Sequence, residues 1–234
     1  EVMAEKNIIP KKAYKNIKNK ADFNVDKILE IEKITRHDVI AFLTNMGEYI
    51  GEDSRYVHMG MTSSDLLDTS LACLCKEAGE VILCKLKEFE NVLERNAIKY
   101  KSTFQIGRSH GVHAEPITYG LKNALWKEEI SRNIKRWENA LLNISVGQIS
   151  GAVGTYQHLD PEIELDVCKK LGLTAERVSN QVVSRDRHAE YLTSLALIAT
   201  TTMMGQLIET RFRYLFWILL QSTYCNVSGF GSCI

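Results

Sequence analysis

The segment "GRSHGVHAEP", Gly107 to Pro116, sets two imidazoles, a guanidinium, a hydroxyl and a carboxylate between a glycine and a proline. A surface turn needs only small or turn-forming residues, whereas an imidazole titrates near neutral pH and suits proton donation. Three further segments are dense in polar groups. "ITRHDV" carries Arg36, His37 and Asp38; "VHMGMTSSDLLDT" carries His58, Thr62, Ser63, Ser64 and Asp65; "NQVVSRDRHAE" carries Gln181, Arg185 and His188. Histidines, small hydroxyls at a helix start and an amide together suit an elimination that splits a C–N or C–O bond beside a carboxylate. Such a reaction needs a base for a carbon-bound proton, donors for the developing dianionic carboxylate and an acid for the leaving atom.

Each segment also has an ordinary explanation. Thr35 with Asp38 three residues later reads as a capping-box variant at a helix start. In Thr62-Ser63-Ser64-Asp65, capping accounts for one or two of the four residues. Hydroxyls and free N–H groups at a helix N-terminus also receive a carboxylate or phosphate. His110 and His113 form an H-x-x-H pair, but no third ligand is specified by spacing and H-E-x-x-H is absent, so no metal is expected. His188 reads as a structural residue paired with a nearby acid, and His158 as solvent-exposed. The glycine-rich run "GQISGAVGT" lacks the lysine and the preceding strand of a phosphate-binding loop.

The elements that must position these groups read as helices. From Asp65 to about Lys99, Leu67, Leu71, Leu74, Ala78, Val81, Leu86, Phe89 and Leu93 recur at helical spacing. A second helix is expected from near Thr118 to Ile144, with Leu121, Leu125, Ile130, Ile134, Trp137, Leu141 and Ile144 on its buried side. A third begins near Arg185 and is apolar around most of its circumference, as at the centre of a bundle. Its threonines, Gln206 and Glu209 interrupt the apolar run too often for a membrane span. Shorter helices fill the N-terminal part to about Gly60, and no alternating strand pattern is evident. The expected class is all-α, a long-helix bundle.

The 234 residues are 45% hydrophobic and 25% charged, with 29 Lys+Arg against 29 Asp+Glu. That balance gives no reason to expect a nucleic-acid partner. The 6 cysteines include no C-x-x-C pair; Cys73 and Cys84 read as small buried hydrophobes. The first residues hold no apolar core segment, so a reducing cytoplasm is expected. The opening at Glu1 suggests a fragment.

Taken in order and spacing, "TRHDVIAF", "VHMGMTSSDLLDT", "GRSHGVHAEPITYGLK", "SGAVGTY" and "QVVSRDRHAEYLTSLALIA" resemble the adenylosuccinate lyase family of the fumarase/aspartase superfamily. The resemblance implies a fumarase-type bundle, with a partial N-terminal helical domain over 1–60 and a truncated central domain over 61–234. It implies release of fumarate from adenylosuccinate to leave AMP, and from the succinyl-carboxamide ribotide of purine synthesis, with no metal or organic cofactor. His110 would protonate the leaving nitrogen, and His58 would lie near it in the catalytic site. Thr62 and Ser63 would bind a substrate carboxylate, Arg36, His37 and Asp38 the nucleotide, and Gln181 the substrate. A homotetramer is implied. The family's N-terminal Arg-Tyr pair and its downstream serine-base loop are not found, and 210–234 departs from the family as if aberrant, so this chain alone is expected to have little activity and to self-associate. A non-catalytic helical scaffold and another fumarate-releasing lyase, such as argininosuccinate lyase, are the competing readings.

Overall fold

The computed structural model describes residues 1–206. The aberrant-looking tail at 210–234, with Cys225, Cys233 and the stretch "FRYLFWILL", lies outside the described residues.

Four short helices open the chain: α1 (Val2–Glu5), α2 (Lys11–Lys20), α3 (Val25–Thr35) and α4 (Asp38–Ile50), followed by a 3₁₀ turn over Gly51–Tyr56. The long α5 (Ser63–Lys99) leads to a hairpin of β1 (Phe104–Ser109) and β2 (Val112–Thr118), then α6 (Tyr119–Ile144). β3 (Val146–Gly147), α7 (Pro161–Leu171), β4 (Thr174–Ala175) and α8 (Asp186–Gln206) complete the described chain. The fold is helical, as expected. Two compact units divide it: residues 1–73 with 145–184, and residues 74–144 with 185–206.

In the second unit, Ile82, Leu86 and Leu93 of α5 pack with Ile130, Ile134, Trp137, Leu141 and Ile144 of α6 and Tyr191 and Ile198 of α8. Trp137 is fully buried, and its indole N–H donates to the Gly79 carbonyl at 2.9 Å. Burying a large apolar side chain of this kind contributes roughly 1.5–3 kcal/mol, and the indole bond keeps its polar end satisfied. In the first unit, Val2, Ile149, Leu159 and Ile163 form one apolar cluster and Ala72, Cys168 and Leu173 another.

Several local expectations are corrected. No strand pattern is evident in the sequence, yet the polar segment at 107–116 forms a β-hairpin, with Ser109 opposite Val112 and a two-residue turn at His110 and Gly111. Its strands are short and largely exposed on both faces, and register shifts between Ile106 and Arg108, so no clean alternation marks them. Thr35 ends α3 and does not cap α4; His37 does, its Nδ1 accepting from the Ile40 N–H at 3.4 Å. Leu67, Leu71, Val81, Leu121 and Leu125 lie on the apolar stripes but are exposed. Cys84 is exposed and Cys73 only half-buried, whereas Cys168 is buried. Among the described residues, no helix is long and apolar enough to cross a membrane.

Candidate active site

The start of α5 carries the first group of site residues. Helix α5 begins at Ser63, which makes Thr62 its cap position. Capping here is done by Asp65, whose carboxylate reaches back to the Thr62 N–H at 3.0 Å. That is one half of a capping box. The hydroxyls of Thr62 and Ser63 are therefore not consumed by the helix: both are half-buried and without a hydrogen-bond partner among the described residues. Spacing assigns one or two of the four residues Thr62 to Asp65 to capping, and the acid takes that role. It leaves the hydroxyls available at the positive end of a 37-residue helix.

Asp65 does more than cap. Fully buried, it also accepts the backbone N–H groups of Ser150 at 3.3 Å and Gly151 at 3.0 Å, and the Gln148 side-chain amide at 3.3 Å. The neighbouring Ile149 N–H goes to Glu164 of α7, and the Gln148 N–H goes to the Thr69 hydroxyl at 3.0 Å. Side chains thus capture four consecutive backbone donors of the glycine-rich loop. This loop is pinned from two helices, and Gly154 serves packing: a Cβ there, at φ +77°, would stand 2.3 Å from the Ser179 carbonyl oxygen. Burial pushes the Glu164 carboxyl above its ordinary value, and burial together with the bond to Glu164 pushes the Tyr156 hydroxyl up to about 12. By sequence this loop is only a failed phosphate site. An acid three residues into a helix looks like an ordinary cap, so nothing in the spacing marks Asp65 as the tie.

Gln181 is exposed and follows directly on Asn180, whose carbonyl accepts from the Gln148 amide at 2.9 Å. Thr62, Ser63 and Gln181 are in this way joined through buried groups of one unit. His58 lies in the turn before Thr62 with φ +62°, and its Nε2 is buried without a hydrogen-bond partner among the described residues. Arg36, His37 and Asp38 occupy the junction of α3 and α4 in the same unit. Arg36 is exposed and left-handed at φ +55°, and His37 Nδ1 stands 3.2 Å from Asp38 Oδ1.

His110 belongs to the second unit. It occupies the first turn position of the hairpin with φ +52°, beside Gly111 at φ +78°. Two consecutive positive φ values define the hairpin turn that matches strand twist, normally filled by Asn-Gly or Gly-Gly. A histidine in this region is uncommon, and its imidazole is exposed at the tip. His113, on β2, is exposed as well. Among the described residues, no group of three or more histidines, cysteines or acids is placed to hold a metal ion. His188 does not pair with an acid among the described residues; its Nδ1 is buried without a partner. His158 is exposed as expected.

The described fold is built on long helices, with polar side chains gathered at the start of α5 and, in the other unit, at the hairpin turn. The sequence profile of a family described as Lyase matches residues 1–205, and the chain belongs to that family. Adenylosuccinate lyase of Bacillus subtilis (strain 168) is 50% identical over 201 residues, covering 86% of this chain and 47% of that protein. Adenylosuccinate lyase of Synechocystis sp. (strain ATCC 27184 / PCC 6803 / Kazusa) is 49% identical over the same share of this chain and 47% of its own length. Among solved structures, a fumarate lyase from Mesorhizobium sp. BNC1 shares the fold at a TM-score of 0.82 and 24% identity, over 88% of this chain and 50% of that one. The 3-carboxy-cis,cis-muconate lactonizing enzyme from Pseudomonas putida does so at 0.79 and 25%, over 86% and 48%. The chain spans about half the length of the curated relatives it matches.

Proposed function

We propose that this chain is part of an adenylosuccinate lyase, releasing fumarate from adenylosuccinate to give AMP and from the succinyl-carboxamide ribotide of purine synthesis. The observation that carries the reading is its roughly half identity, across 86% of its length, to proteins of that name. The arrangement of residues supports it. In the elimination a base removes a proton from the carbon beside a carboxylate, the C–N bond breaks, and an acid delivers a proton to the departing nitrogen. His110 is that acid in this reading, exposed on its turn where a substrate can meet it. The hydroxyls of Thr62 and Ser63 and the N-terminus of α5 receive the carboxylate on which negative charge builds. Arg36, His37 and Asp38 bind the nucleotide, Gln181 holds the substrate, and His58 belongs to the catalytic site. No metal or organic cofactor takes part in this scheme.

The same reading divides the chain into an N-terminal helical part over 1–60 and a central bundle from 61, and places the protein in the cytoplasm as a homotetramer. A groove of about 1020 Å³ lined by Ile106, Arg108, Ile117, Leu121 and Leu125 fits the last point, because it leaves two leucines of α6 uncovered in the single chain.

The test is a fumarate-release assay on the full-length natural protein with adenylosuccinate, the succinyl-carboxamide ribotide and argininosuccinate. Turnover of the first two and not the third is expected. Turnover of argininosuccinate alone would move the protein to another branch of the lyases, and no turnover of any would make it a non-catalytic scaffold.

A further inference from the structure

Gln148 is fully buried, and the orientation of its amide is fixed by chemistry. Its nitrogen stands 3.3 Å from Asp65 Oδ1 and 2.9 Å from the Asn180 carbonyl oxygen. Both neighbours accept, so only the NH₂ end can face them. The Oε1 atom is left buried without a hydrogen-bond partner among the described residues. An unsatisfied buried acceptor is destabilising, and a hydrophobic residue of like volume would avoid it, but only by stripping the two donations from Asp65 and the Asn180 carbonyl. What the amide does accomplish is a link: Thr62 N–H to Asp65, Asp65 to Gln148, Gln148 to Asn180, and thence by one peptide bond to Gln181.

We infer that Gln148, held by Asp65, is a positioning residue that sets the distance between the Thr62–Ser63 carboxylate site and the Gln181 side chain. The inference rests on the substrate-binding roles given to those residues above. Two binding groups on separate segments act together only if their separation is fixed before substrate arrives, and a misplacement of about 1 Å is enough to cost on the order of a hundredfold in rate. The Gln148 amide bonds both to the acid capping α5 and to the segment leading into Gln181.

The experiment uses the full-length protein with Gln148→Met, which keeps the volume and removes both donations, and with Gln148→Glu, which sets a carboxylate against Asp65. Steady-state kinetics with adenylosuccinate are compared with Ser63→Ala, Gln181→Ala and their double variant, each made in the parent and in the Gln148→Met background, alongside thermal unfolding. Both Gln148 variants are expected to lose about tenfold or more in kcat/KM. With Gln148 present, the Ser63 and Gln181 losses should be coupled, the double variant losing less than the product of the singles. In the Gln148→Met background the two losses should simply multiply. A general packing defect would lower the melting temperature without removing that coupling, which would overturn the inference. If Ser63→Ala and Gln181→Ala are damaging but Gln148→Met is as active as the parent, the positioning role is wrong while the site stands. If neither single variant affects kcat/KM, the site reading falls and the inference with it. Failure of both Gln148 variants to fold would make the residue a folding requirement and overturn the proposal.

Discussion

The Tyr156 hydroxyl donates to Glu164 Oε1 at 2.8 Å, while the other oxygen of the same carboxylate takes the Ile149 N–H. Glu164 is almost wholly buried, at 2% exposure, and Asp65 adds a second negative charge nearby. Burial outweighs the two hydrogen bonds, so the carboxyl titrates above its ordinary 4.5. Between 4.5 and the raised folded value, the folded chain binds more protons than the unfolded one. Stability attributable to Glu164 therefore falls as pH rises through that window and is flat above it.

Glu164→Gln removes this slope. Its oxygen can still accept from Ile149, and its NH₂ can donate to the Tyr156 oxygen. The variant should gain on the parent as pH rises from 4.5 through the raised folded value, and hold that gain above it. Inside the window the gain approaches a limiting slope of about 1.4 kcal/mol for each pH step of one. Urea unfolding at a series of pH values measures it. A stability difference that stays constant across the range would show that Glu164 ionises as it does in the unfolded chain.

Two glycines with nearly the same positive φ should respond differently to alanine. Gly111, at φ +78°, has open space around a prospective Cβ, so Gly111→Ala carries only the left-handed backbone penalty, about 1–2 kcal/mol. Gly154, at φ +77°, would press its Cβ to 2.3 Å from the Ser179 oxygen, a backbone atom with no freedom to swing aside. Gly154→Ala should cost about 2–4 kcal/mol and should also weaken substrate binding, because the displaced segment leads into Gln181. Equal losses in denaturant midpoint for the two variants would contradict the packing account.

The helices are legible in the sequence because their apolar residues follow a period that any burial must produce: periodicity places α6 from near 118 to 144, and it runs from Tyr119 to Ile144. Periodicity marks a stripe but not what covers it, which is why Ile130 and Ile134 are buried while Leu121 and Leu125 on the same helix are exposed. The hairpin is illegible for a different reason. Strand alternation is visible where one face is buried, and Arg108, His110 and His113 are all exposed. The readable sign is His110-Gly111, a pair that stands where Asn-Gly would mark a two-residue turn. Of the candidate site, residue types and spacing identify the segments, but long-range ties leave no trace in spacing. Asp65 to Gly151 and Gln148 to Asn180 span 86 and 32 positions.

Ser63 tests whether hydroxyls at the start of α5 serve the helix or a ligand. Because Asp65 supplies the cap, Ser63→Ala should change stability by no more than about 0.5 kcal/mol, below the ~1 kcal/mol usual for losing a capping side chain. Fumarate and succinyl substrate should bind about tenfold more weakly, with AMP affinity less affected, since one hydrogen bond to a charged group contributes roughly 1.5–3 kcal/mol. Calorimetry with fumarate and AMP separates the two. Equal losses for both ligands would remove the carboxylate role, and a large stability loss with unchanged binding would return the hydroxyl to capping.

His110 carries the sharpest expectation. Its backbone is held at φ +52° in a two-residue turn whose next member is a glycine, so the imidazole is presented at the hairpin tip and kept out of any packed core. A buried structural histidine would be costly to replace; an exposed one at a strained turn should be replaceable with little effect on folding. His110→Gln should therefore leave unfolding within about 1 kcal/mol of the parent, while kcat for adenylosuccinate falls by roughly a hundredfold to ten-thousandfold, the usual loss when a positioned acid is removed. Turnover measured in the full-length protein decides the matter. Near-parental turnover would show that the leaving nitrogen takes its proton from another group.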